Sequence, residues 1–217
     1  MLKLSIYLSC ILVISCTTRL KEEIKDIKYS AYEMIGQEKR DLFKKEVKTV
    51  RDGQEETQQA FEDALKKIQY FYSYDGGKTE SEYNRLKNAY DQSQAEAKSL
   101  KSSIKELNEV ASDLFDEWKD EIKDISSRDL RQQSSLKMTE TREKYIILYG
   151  KLKESEKKMS PLLVKMNDQV LFLKHNLNAG AIGGLATEGE RIEKDITQLI
   201  EEMKASNKEA SEFIETL

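Results

Sequence analysis

The chain has 217 residues, of which 35% are charged and 38% hydrophobic, with nine Gly and one Pro. So little Gly and Pro excludes a loop-rich β protein, and this much apolar sequence excludes a disordered one. Lys and Arg number 36 against 40 Asp and Glu, a net charge of −4 with the signs interspersed, which excludes the basic stripe a nucleic-acid partner or a polybasic lipid face requires.

Residues 1–15 have the form of an export signal. Lys3 gives the positive start, and an apolar run from residue 4 to 14 follows, broken by Ser5, Ser9 and Cys10. The run is shorter than the ~20 apolar residues a membrane-spanning helix needs. Val13-Ile14-Ser15-Cys16 resembles the bacterial lipobox. That resemblance implies cleavage between Ser15 and Cys16, with acylation of Cys16 by a diacylglyceryl group and a further fatty acid such as palmitate. Two or more acyl chains anchor stably where one does not. Cys10 is the poorer candidate, because Tyr7 stands where a small aliphatic residue is wanted. With Cys10 discarded and Cys16 a thioether, no disulfide is expected. Thr17 rather than Asp follows the cysteine, which under the enterobacterial sorting rule favours the outer over the inner membrane. Residues 16–28 then read as a polar, lipidated tether.

From residue 29 onward an apolar repeat of alternating three- and four-residue steps takes over. Phe43, Val47, Val50, Gln54, Thr57, Phe61, Ala64, Ile68 and Phe71 mark a first helix over about 29–74. A second over 79–125 is marked from Tyr83 through Leu86, Tyr90, Ser93, Ala97, Leu100, Ile104, Leu107, Ala111 and Leu114 to Trp118. The third, over 127–178, shows Tyr145, Leu148, Leu152, Ser155, Met159, Leu162, Met166, Gln169 and Leu173. The fourth, over 187–216, shows Ile192, Ile196, Leu199, Met203, Ser206, Ala210, Phe213 and Leu217. A sustained 3.5-residue period is a coiled-coil signal. The fold class is therefore all-α: an elongated antiparallel coiled-coil bundle of three long helices, each roughly 70 Å, plus a fourth of roughly 45 Å. The fourth joins only the half far from the membrane.

The breaks carry their own chemistry. Asp75-Gly76-Gly77 ends the first helix, and Thr79-x-x-Glu82, Ser126-x-x-Asp129 and Thr187-x-x-Glu190 can start the next three as capping boxes or N-caps. Glycines 180, 183 and 184 mark the third turn. Antiparallel pairing sets Ile68 level with Leu86 and Val50 with Ile104. It sets Leu107 level with Tyr145, Leu100 with Leu152, and Phe172 with Ile192. Tyr70, Phe71, Tyr72, Tyr74, Tyr83 and Phe172 then gather at the far end, and Phe43, Phe115 and Trp118 in the lower half. Pro161 should kink the third helix or restart it with Ser160 as N-cap. Gly53 and Gly150 fall near Ser102 and Ser103, where either a close helix approach or a tolerated surface position accounts for them.

Several strings are similar to one bacterial family. They are Gly36-x-x-Lys39-Arg40-Asp41, Val47 through Arg51-Asp52 with Gln54-Glu55, Leu114-Phe115-x-Glu117-Trp118, Ser127-x-x-Leu130-Arg131, and the run from Gln169 through His175 to Asn178. The chain resembles domain of unknown function family 2959, found in Gram-negative bacteria and often in lipoproteins, over roughly residues 29–186. The resemblance implies a helical, exported, lipidated protein and transfers no catalytic residue.

No reaction chemistry is legible. His175 is the sole histidine and has no second ligand at metal spacing; at a helix end it suits the last carbonyls. Asp116-Glu117 and Asp120-Glu121 are adjacent and diverge around a helix. The glycines near Gly180 lack the Lys-Ser/Thr of a phosphate loop, and there is no nucleophile elbow. No catalytic residue, metal or cofactor is expected. Four consecutive large apolar residues, Val170, Leu171, Phe172 and Leu173, exceed one helix face. They read either as wholly buried or as a patch that docks a partner.

The expectation is a non-enzymatic envelope scaffold or adaptor facing the periplasm. Its partners would be the membrane through its lipid and an envelope protein, with a further copy of itself as an additional option. The alternatives are a membrane-remodelling or filament-forming protein and, behind these, a carrier or enzyme with a pocket between helices.

Overall fold

The computed structural model describes residues 39–73, 80–176 and 186–217. These form four α-helices: α1 (Lys39–Ser73), α2 (Glu80–Asp124), α3 (Arg128–His175) and α4 (Ala186–Thr216), with no strand among the described residues. The expected signal, tether and first helical turns up to residue 38, with Ser15 and Cys16, lie outside them, as do Tyr74, Thr79 and the glycines 180, 183 and 184. The chain divides into two compact units, Met1–Leu42 and Phe43–Leu217. The first is described only by residues 39–42, which open α1. The second is an all-α bundle.

The 4-3 pattern makes the core. All nine α1 seam positions from Phe43 to Phe71 are buried, as are all nine on α3 from Tyr145 to Leu173. On α2 the buried set runs from Tyr83 to Leu114, and on α4 from Ile192 to Phe213; Trp118 and Leu217, the last in their series, are half-buried.

Contacts fix the directions. Ser93 on α2 donates to the Ala60 carbonyl of α1 at 3.2 Å, and Tyr145 on α3 donates to Asn108 Oδ1 of α2 at 3.2 Å. Trp118 Nε1 donates to Ser134 Oγ at 2.9 Å. These antiparallel levels are the ones the heptads give for the first two turns. The third differs by one helical turn. Lys151 pairs with Glu209, Lys158 with Glu202, and Lys165 with Asp195 at 2.8 Å. The ladder steps seven residues on both helices, so Ile192 is level with Asp168 rather than Phe172. The number of residues between α3 and α4 does not by itself set this register; the ion-pair ladder does.

At one end, four rings meet, one from each helix. Phe43 lies 5.9 Å from Phe115, 5.4 Å from Tyr145 and 5.8 Å from Phe213, all edge-on. Such pairs add ~0.5–1.5 kcal/mol each beyond area burial. Past this layer α2 and α3 continue as a hairpin, in which Thr141 is the one buried α3 residue before Tyr145. The hairpin turn is closed by Arg131, whose guanidinium donates to the Ile125 carbonyl at 3.0 and 2.7 Å. The N-cap of α3 is Ser127, not Ser126: its Oγ accepts from the Leu130 amide at 3.4 Å. The phase of the helix moves the extended residue one place on.

Pro161 neither breaks nor restarts α3, which runs unbroken for 48 residues. It is exposed, so its ring points to solvent and water can serve the carbonyl one turn back. Gly53 and Gly150 mark no close approach. A Cβ on Gly53 would meet only Leu100 Cδ1, at 3.9 Å, and one on Gly150 nothing within 4 Å.

Polar residues at seam positions punctuate the core. Thr57 and Ser206 hydroxyls satisfy themselves on carbonyls of their own helices, at 2.7 Å and 3.1 Å, as short hydroxyl side chains do. Gln54 reaches across instead: its Nε2 donates to Ser206 Oγ on α4 while Oε1 has no partner. Such a residue lowers stability and fixes register.

Candidate interaction surface

The run at the end of α3 is neither wholly buried nor wholly exposed. Val170 and Leu173 are in the core, while Leu171 is 54% and Phe172 41% exposed. Both readings of that run fail for half its residues, because two of four consecutive helical positions face inward and two outward.

The exposed pair belongs to a larger feature. Among the described residues eight large apolar side chains are exposed, and seven lie on α3: Leu130, Leu136, Ile146, Ile147, Val164, Leu171 and Phe172. The eighth is Tyr70 on α1. Helices α2 and α4 have none. Scattered single exposures are ordinary; their concentration on one helix makes the outer side of α3 the candidate interaction surface. Sequence reasoning found only the run at 170–173. The available signal was the doublets Ile146-Ile147 and Leu163-Val164, which add apolar residues outside the seam.

Beside this face, a groove of about 450 Å³ opens between α2 and α3. Tyr90, Ala97, Met159, Leu163 and Val164 give it an apolar lining; Lys98 and Lys101 stand at its rim. Lys101 lies 3.9 Å from Glu156.

A tight junction stands at the opposite end from the four rings. Tyr72 donates to Gln169 Oε1 at 2.7 Å, while Gln169 Nε2 has no partner. The Tyr72 ring lies against the α4 backbone at Gly189, where a Cβ would sit 2.6 Å from a ring carbon. Burial, then the charges of Glu188 and Glu193, push the Tyr72 phenol well above its ordinary value. Burial does the same for Tyr145.

The remaining candidates fall apart in space or stay solvated. Asp120 pairs with Lys123 at 2.6 Å, which holds its carboxyl below the ordinary range; Asp116 is exposed. His175 ends α3, and Asn176 beside it donates to the Phe172 carbonyl at 2.9 Å. Among the described residues no group of three or more His, Cys, Asp or Glu is placed to hold a metal, and no helix is long and apolar enough to cross a membrane.

An antiparallel helical bundle with one apolar outer helix face is thus the class the fold defines. The family model described as Protein of unknown function (DUF2959) matches residues 28–217, and the chain belongs to that family. The match takes in α4, beyond the end at residue 186 that the sequence strings suggested. Neither the curated proteins nor the solved structures contain a match.

Proposed function

We propose that the chain is a bacterial envelope lipoprotein, held to a membrane by acylated Cys16, whose bundle faces the periplasm as a non-enzymatic scaffold or adaptor. The outer face of α3 carries this reading: seven of the eight exposed large apolar residues lie on one helix, as a docking element requires. The lipobox-like Val13-Ile14-Ser15-Cys16 supplies the anchor, and Thr17 after it favours the outer over the inner membrane under the enterobacterial sorting rule. In-cell crosslinking from Val164 tests it. A discrete protein adduct is expected; adducts to bulk lipid alone contradict a scaffold.

The α2–α3 groove favours a second reading, a carrier of a small amphipathic ligand, since its volume lies within the range of ligand sites. A thermal-shift screen in which some ligand raises Tm, and does so no longer after Ala97→Trp, would favour it.

A further inference from the structure

We infer that the α2–α3 groove takes a single-chain alkyl carboxylate, its anionic head at Lys98 and Lys101 and its tail along Leu163 and Val164. This deepens the carrier reading, rests on the groove being a ligand site, and does not draw on the anchor at Cys16.

Two helical stripes make the groove. On α3 the lining residues are Glu156, Met159, Ser160, Leu163, Val164 and Asn167. Steps of three and one in alternation keep them on one side of a helix. Tyr90, Gln94, Ala97 and Lys101 give the facing stripe on α2. Short side chains leave the space: Ala97 on one helix and Ser160 on the other. Gln94 does not fill it, because its Nε2 donates along α2 to Tyr90 Oη at 2.8 Å. Ala97 and Met159 are buried and form the floor. From 90 to 101, and from 167 to 156 on the facing helix, the trough is roughly 16 Å long at 1.5 Å per residue. A volume of about 450 Å³ is near the small end of the range for ligand sites and suits one alkyl chain rather than two.

The two ends differ in charge. Lys98, Lys101 and Glu156 line one end. Lys98 has Gln94, Ala95, Lys101 and Ser102 at the positions three and four away, and Lys101 has Ala97, Lys98, Ile104 and Lys105. Neither lysine therefore has a carboxylate where its own helix would supply one. Lys98 holds no ion pair among the described residues. Lys101 reaches Glu156 at 3.9 Å, and Lys153 already holds that carboxylate. At this end three lysines accompany one carboxylate, and a carboxylate from a ligand balances the excess through charge-assisted hydrogen bonds. A neutral head leaves the excess as it is, and a cationic head adds to it. The lining at the other end, Tyr90, Leu163, Val164 and Asn167, is uncharged. Val164 is 58% exposed, and a tail laid against it takes apolar surface out of water.

The probe is dodecanoate carrying a diazirine at its tail, offered to the full-length chain in nanodiscs of phosphatidylethanolamine and phosphatidylglycerol. The alcohol and the trimethylammonium of the same chain are run beside it. Mass spectrometry is expected to place the dodecanoate label on Leu163, Val164 or Asn167, with plain dodecanoate competing. Lys98→Met together with Lys101→Met should lower that label about tenfold, the loss of one charge-assisted bond. Arginine at both positions should keep it. Ser160 is exposed, so Ser160→Trp should fill the groove and abolish the label without entering the core. The alcohol should label the groove more weakly, and equally in the wild type and the methionine variant, which an unfolded variant could not do. Equal labelling by all three heads, or a dodecanoate label indifferent to the methionine variant, overturns the anionic head and leaves the carrier reading standing. No label in the groove from any probe, or a label that persists in Ser160→Trp, overturns both.

Discussion

Two glycines buried in or beside the core should respond to the same substitution with opposite signs. Replacing a helical Gly by Ala gains up to about 1 kcal/mol from backbone entropy alone. At Gly53 the added methyl meets only Leu100 Cδ1, at 3.9 Å, an ordinary contact. Gly53→Ala should therefore stabilise by ~1 kcal/mol. At Gly189 the methyl would stand 2.6 and 2.8 Å from two carbons of the Tyr72 ring. The ring is held by the bond from its hydroxyl to Gln169 and cannot swing away without freeing both. Overpacking costs ~1–3 kcal/mol, and leaving the buried Gln169 amide without its remaining partner costs a further ~1–3. Set against the entropy gain, which is smaller in a first turn, Gly189→Ala should destabilise by about 2 kcal/mol, or roughly 4–8 °C in Tm at this chain length. In a Tyr72→Ala background the clash is gone, and Gly189→Ala should turn neutral or stabilising. Urea and thermal unfolding followed by circular dichroism measure the wild type and all four variants. If Gly189→Ala raises Tm in the wild-type background, the packing of α1 against α4 described above is wrong.

The four-ring layer should be the most sensitive part of the bundle: Phe43→Ala should cost ~3–5 kcal/mol by equilibrium unfolding. At the polar seam, Gln54→Ala should destabilise. Gln54→Leu should be neutral or stabilising, because an unpartnered amide oxygen is removed while Ser206 keeps its own-helix acceptors, and its cost should show as a less unique helix register by nuclear magnetic resonance. The α3–α4 ion pairs are part-exposed, so Lys165→Ala should shift stability by less than ~1 kcal/mol and less still in high salt. Alkaline titration should read the buried phenols. Tyr72 and Tyr145 are raised in the folded state, so the unfolded chain loses those protons first, from about pH 10. Stability should fall as pH rises past that point, and Tyr145→Phe should make the fall shallower.

The seams were legible because helical period and burial are one constraint: a residue every 3.5 positions can reach the interior, and the sequence shows which. That is why even Gln54, Ser93 and Ser206 read as core positions from the sequence, and all three are buried. Turn chemistry was less so. Ser126 and Ser127 are equally good caps by type, and only the phase of α3 chooses the second. The α3–α4 register was displaced by one turn because the apolar pattern is unchanged by a shift of a turn, whereas the Lys–carboxylate ladder is not. Gly189 was illegible, since nothing in its own helix reports that a tyrosine 117 positions earlier needs the space. The α3 surface was half legible: Leu171 and Phe172 stood out as part of a continuous run, while Ile146, Ile147 and Val164 were hidden by neighbouring seam residues. Sequence shows that an apolar residue is off the seam, but only packing shows that the neighbouring helices leave it uncovered.

The proposed lipid anchor at Cys16 is tested most directly by intact-mass spectrometry of the chain extracted from its native membrane. It predicts a chain beginning at Cys16 and heavier than its amino acids by a diacylglyceryl group and a fatty acid. A chain that retains residues 1–15, or that begins elsewhere without acyl mass, contradicts it.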